Sequence, residues 1–205
     1  MIHQAFIETT GSYSNDKALL NSLWSEIEKN YSSSFRHYHN LNHLNFLLAE
    51  LSEVRDQLLD WDTVIFSIVY HDVVYRVLKS NNEEKSAEIA SKRLNQLKYP
   101  RERIDICTQM ILATKKHSSS NHSDINFFTD SDLAVLGQDW ETYQKYAQGV
   151  RKEYSIYPDI IYNPGRKNVL RHFLEMKKIF KTPYFFHAYE NQARVNLQQE
   201  LLSLE

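Results

Sequence analysis

Three features of the sequence predict an all-α fold. Glycine is scarce: Gly11, Gly137, Gly149 and Gly165 are the only four in 205 residues, about 2% against a usual ~7%, so few turns demand a positive φ. Apolar residues recur at i, i+3, i+4 and i+7 through most of the chain, the stripe of an amphipathic helix. No hairpin dipeptide, alternating strand pair or internal repeat breaks that pattern. Apolar residues make up 42% of the chain, enough for a real core, and the length suits one domain.

The elements follow in order. From Asp16, Leu19, Leu20, Leu23, Trp24 and Ile27 share one helical face. A second helix runs from about Asn42 to Leu59 and turns Leu44, Leu47, Leu48, Leu51, Val54 and Leu58 inward. The third, Thr63 to about Tyr75, has Asp60 or Asp62 as its cap; it is apolar nearly all round and is therefore central. Asn81 or Asn82 opens the next, with Glu83 and Glu84 favourably placed in its first turn, and it ends at Tyr99-Pro100. Another follows Pro100 and carries Ile104, Cys107, Ile111 and Leu112. Lys115 to Thr129, rich in His, Ser and Asn, reads as a surface loop. Helices resume near Asp132 and at about Asp139 to Tyr154. A turn at Tyr162-Asn-Pro-Gly165 precedes a helix from Arg166 to Phe180, and a last helix runs from Pro183 to about Leu202.

Composition excludes several functions. No two glycines lie close enough for a phosphate-cradling turn, which removes the P-loop and the dinucleotide fingerprint. The formal charge of −2 gives no general affinity for a nucleic-acid polymer or an acidic membrane surface. One cysteine, Cys107, permits neither an internal disulfide nor a cysteine-based zinc cluster; within its apolar run it reads as a buried, inert thiol. The N-terminus lacks a signal-peptide pattern and no apolar stretch is long enough to span a bilayer, so the expected location is cytoplasmic. The aromatic segment Tyr184–Tyr189 can either cover the core or form an interface in a homo-oligomer.

Histidine is the residue in excess: six of the nine lie between His37 and His122. In RHYHNLNH, residues 36–43, His39 and His43 stand at i, i+4, which on a helix puts both rings on one face; such a pair either binds a metal or is solvated and caps a helix. His71-Asp72 follows the apolar run Val64–Tyr70. Charges are rarely buried without a partner or a cation, so the pair either holds an ion or is a satisfied core histidine beside an ion-paired aspartate. In FFTDSDLAVLG, Asp130 or Asp132 enters an apolar run, as a ligand or as a helix cap.

Taken in series, these blocks resemble the HD superfamily of metal-dependent phosphohydrolases: one His, an adjacent His-Asp about 30 residues on, and an Asp about 60 residues beyond. RHYHNLNH, YHDVVY, NNEEKSA, ATKKH, DSDLAVLG, RKEY, PGR and ARVNL are similar to blocks of the subgroup described as predicted metal-dependent HD-superfamily phosphohydrolases, and they extend from about residue 36 to 197. The resemblance implies an HD helical bundle as one domain over 1–205, its core over about 16–155 and a helical extension over about 156–205. It implies His43, His71, Asp72 and Asp132 as metal ligands, with Asp130 the competitor for the last place. Two imidazoles and two carboxylates suit Mn, Mg, Fe, Ni or Zn, and such an ion activates water and neutralises phosphoryl charge. The substrate implied is a small phosphate ester or pyrophosphate, a nucleotide first among them.

The remaining candidates are subordinate. His39 stands to contact substrate or orient a ligand. Glu83 and Glu84 either supply general acid–base chemistry or stabilise their helix. Lys115, His117, Arg36, Arg151 and Arg166 are candidates for phosphate, Arg166 because it begins a helix behind Pro164-Gly165; Arg151 and Arg194 read equally as ion-pair partners. His117 and His122 as extra ligands would make a two-metal site. Two rival functions share the scaffold: a diiron oxygenase and a non-catalytic nucleotide sensor.

Overall fold

The computed structural model describes residues 1–204 and is all-helical, with no strand among the described residues. The chain forms two compact units, Met1–Thr129 and Asp130 onward. The first contains α1 (Ile2–Gly11), α2 (Lys17–Tyr31), α3 (Leu41–Ser52), α4 (Trp61–Tyr70), α5 (Asn82–Gln96) and α6 (Arg101–Ala113). Helix α7 (Ser123–Leu133) begins in it and carries the chain onward. The second unit adds α8 (Trp140–Glu153), α9 (Asp159–Glu175) and α10 (Pro183–Ser203). The expected extension boundary near residue 155 falls inside the second unit.

In the first unit α4 is central, packing against α1, α3, α5 and α6. Every residue from Thr63 to Tyr70 is buried, as its all-round apolar sequence requires. Its start is fixed by carboxylates: Asp60 accepts the Thr63 N–H as N-cap, and the fully buried Asp124 accepts the N–H groups of Leu59 and Asp60. Asp16 caps α2 through the N–H groups of Ala18 and Leu19. Each such cap stabilises by about 1 kcal/mol. Cys107 is fully buried, and burial pushes its thiol up to about 12, so it is inert.

The second unit is built around α10, which packs against α9 and the 3-10 turn Ala134–Gly137, where the preceding α7 hands over to α8. Gly137 is required there: a Cβ would lie 2.6 Å from the Tyr189 carbonyl oxygen and 2.8 Å from its Cα. No helix is long and apolar enough to cross a membrane among the described residues.

Five elements differ from the sequence expectation. Helix α1 was not expected, because two of the four buried residues on its face are threonines, Thr9 and Thr10; the Thr10 hydroxyl donates to Phe6 O and hides its polarity. The helix beginning at Asn42 stops at Ser52, and the central helix stops at Tyr70, not Tyr75. The segment expected as loop through Thr129 is helical from Ser123, because its polar residues are spent internally: Asp124 on backbone N–H groups and Thr129 on Ile125 O. Finally, α9 starts at Asp159 and runs through Pro164, where a turn was expected. The carbonyl that Pro164 cannot bond belongs to Ile160, which is 83% exposed, so the lost bond falls where water replaces it.

Candidate metal centre

Helix α4 ends inside the core. Its C-cap residue His71 is 1% exposed, and the His71 Nδ1 lies 2.9 Å from Ile68 O. A carbonyl only accepts, so Nδ1 carries the proton and Nε2 presents its lone pair. His43, 3% exposed, sits in the first turn of α3, whose N-cap Asn40 accepts the Asn42 N–H at 2.8 Å. Its Nε2 lies 3.2 Å from His71 Nε2. Two nitrogens about 2.1 Å from one ion lie about 3.0 Å apart across an octahedral edge and about 3.4 Å across a tetrahedral one. The observed separation suits neighbouring ligands of one ion, and it equally suits a hydrogen bond between the two rings.

Asp132, half-buried near the end of α7, completes the set. Among the described residues, His43, His71 and Asp132 form the one group of His, Cys, Asp or Glu whose ligand atoms all lie within 4.8 Å of one another. Imidazole nitrogen with carboxylate oxygen suits a divalent ion. Asp72 stands outside that mutual set but touches it, its Oδ2 3.2 Å from His71 Nε2. Asp130, the expected competitor, is spent elsewhere. It is fully buried and accepts the backbone N–H groups of Lys181 and Thr182, the Thr182 hydroxyl and the Lys181 ammonium.

His39 is not one helical turn before His43 as its spacing suggested. It precedes the N-cap of α3, and its ring instead stacks on Tyr75 at 4.2 Å, with Nε2 3.9 Å from Asp72 Oδ2. Side-chain exposure separates the two halves of this cluster: 19% and 16% for His39 and Asp72 against 3% and 1% for residues His43 and His71. The open side lies at His39 and Asp72.

Sequence reasoning missed the residues that hold the turn after His71. The Asp72 N–H donates to Tyr31 Oη at 3.1 Å. The Val74 N–H donates to Ser86 Oγ, and Asn82 of α5 bonds both N–H and C=O of Arg76. Ser86 and Asn82 lie in the NNEEKSA block, so that block positions the segment behind His71-Asp72; nothing in the residue types alone distinguishes this from helix capping.

The other candidates are placed as follows. Lys115 bonds Glu84 and Ser80 O and stands 3.6 Å from Glu83, so one expected substrate cation and both expected acid–base residues share a single ion cluster. The Lys115 ammonium beside Glu84 holds that carboxyl below the usual carboxylate range. His117 ends the turn after α6 with φ 49°. Neither His117 nor His122 belongs to the metal-capable group. Arg36 donates to two backbone carbonyls, His39 O and Val73 O. Arg151 bonds Asp159 and the carbonyls of Tyr154 and Tyr157. Arg166 does not begin a helix; it lies in the middle of α9, buried, with a forked bond to Glu200. Arg194 pairs with Glu190 and caps the carbonyls at the end of α9.

No family model, curated protein or solved structure matches this chain.

Proposed function

We propose that this chain is a metal-dependent phosphohydrolase of the HD type, cleaving a small phosphate ester or pyrophosphate, a nucleotide first among candidates. The observation that carries this reading is the approach of two buried imidazoles, His43 Nε2 to His71 Nε2 at 3.2 Å, with Asp132 in the same group. The order His, His-Asp, Asp along an all-helical chain supports it.

His43, His71 and Asp132 would hold a divalent ion, with Asp72 joining from the His71 side. When bound, such an ion lowers the pKa of water and neutralises phosphoryl charge. The protein residues supply the rest. Ile68 O keeps His71 in the tautomer whose Nε2 can donate its lone pair. Tyr31 orients the backbone of Asp72. His39, the more exposed imidazole, stands beside Asp72 where a phosphate group would enter.

The test is metal loading followed by turnover. Protein purified without chelator and reloaded with Mn, Mg, Fe, Ni or Zn should release phosphate or nucleoside from a nucleotide panel, and Asp72→Ala should abolish release. Activity that survives Asp72→Ala sinks the assignment. Two irons per chain with oxygen consumption would support the diiron oxygenase instead, and nucleotide binding without turnover under every metal would support a sensor.

A further inference from the structure

We infer that Arg36 is a positioning residue that sets the spacing between the two segments carrying the metal-binding histidines; this rests on the metal-site reading above. RHYHNLNH begins with an arginine whose obvious use, given a phosphate substrate, is to bind that phosphate. The structure gives its guanidinium another use. Nη1 donates to His39 O at 3.0 Å and Nη2 to Val73 O at 3.2 Å. The first carbonyl belongs to the loop that leads into α3 and His43. The second belongs to the turn that follows His71-Asp72. One planar fork therefore ties together two stretches of backbone, each only a few residues from His43 or His71.

The fork is itself held in place. Its carbon lies 4.7 Å from the Tyr31 ring centre and 5.5 Å from that of Tyr75. Both rings belong to the site: the Tyr31 hydroxyl accepts the Asp72 N–H, and Tyr75 stacks on His39. An arginine between two aromatic faces with donors on fixed carbonyls is a rigid bracket, and guanidinium suits it because its donors are coplanar. A lysine would bring charge without the fork. The 3.2 Å gap between His43 and His71 nitrogens is thus a property of the bracket as well as of the helices.

Losing such an outer support lowers metal affinity by about 10- to 100-fold. The experiment is Mn2+ titration by calorimetry on the full chain and on Arg36→Ala, Arg36→Lys and Arg93→Ala, with thermal melting of each without metal. Arg93, bonded to Glu26 in the same unit, controls for the loss of any paired arginine. The expected result is a drop of at least about tenfold in Mn2+ affinity for both Arg36 variants, with Arg93→Ala melting earlier but binding within about twofold of wild type. If Arg36→Ala fails to fold, Arg36→Lys decides the question. Wild-type Mn2+ affinity in the Arg36 variants would overturn the inference while leaving the metal site standing. Unchanged Mn2+ affinity with weakened inorganic phosphate binding would instead return Arg36 to substrate. A wild-type chain that binds no Mn2+ would fail the metal reading, and the inference with it.

Discussion

The two units bury polar groups in opposite ways. From Asp130 onward, each of the buried charges Arg166, Asp130 and Glu190 meets its complement. Arg166 forks onto Glu200, which also accepts the Tyr143 hydroxyl. Lys181 reaches Asp130, and Glu190 accepts the Ile179 and Phe180 N–H groups while pairing with Arg194. These are closed arrangements in which donors and acceptors balance. In the first unit, His43 and His71 are buried as deeply, but their Nε2 atoms face one another. Two imidazoles bring no opposite charge to one another, and what joins them at 3.2 Å is a contact between ring nitrogens.

The largest effect should come from breaking a closed pair. Arg166→Ala leaves Glu200 buried without its cation and should cost about 3–5 kcal/mol in urea denaturation, with Mn2+ affinity retained. Replacing Arg166 and Glu200 together by Met and Leu should recover most of that loss; failure to recover would mean that the pair does more than balance charge.

Next in size is the loss of one facing histidine. His71→Ala should lower Mn2+ affinity by about 100-fold or more, a larger loss than an outer support gives, and cost the metal-free chain about 2–3 kcal/mol in chemical denaturation for the buried ring and its bond to Ile68 O. A large loss of folding stability with metal binding intact would reverse the comparison.

Asp130 and Asp132 sharpen it further because they stand close in sequence. Asp130→Asn should destabilise by about 1.5–3 kcal/mol, the value of hydrogen bonds to a charged group, and spare metal binding. Asp132→Asn should do the reverse, read by the same calorimetry and urea melts.

The smallest effect is in acid. Burial alone would raise the Asp60 carboxyl, but hydrogen bonds from Arg103 and Thr63 outweigh it and hold it below its ordinary value. A carboxyl depressed on folding stabilises above its unfolded pKa of about 3.9 and loses that contribution as pH falls through its lower folded value. Urea melts of chelator-treated protein should therefore show an acid limb below about pH 4 that is shallower in Asp60→Asn. An unchanged limb would mean that Asp60 contributes nothing to it.

Sequence pattern alone determined the helical class and the central place of the helix that starts at Thr63, and it marked His43, His71-Asp72 and one of Asp130 or Asp132 as candidates. The reason is local: helix period, caps and buried runs are written within a few residues, and a His-Asp behind a long apolar run announces itself. The tertiary structure decided what the remaining polar residues do. Asp130 and Asp132 stand two apart and look alike, yet one meets Lys181 and the other joins the histidines. Arg36, Arg151, Arg166 and Arg194 all suit a phosphate by type, and each is committed to carbonyls or carboxylates brought to it from 3 to 37 residues away. Charge and hydrogen-bonding capacity belong to the residue, but whether they are spent is settled by which distant backbone folding brings within about 3 Å.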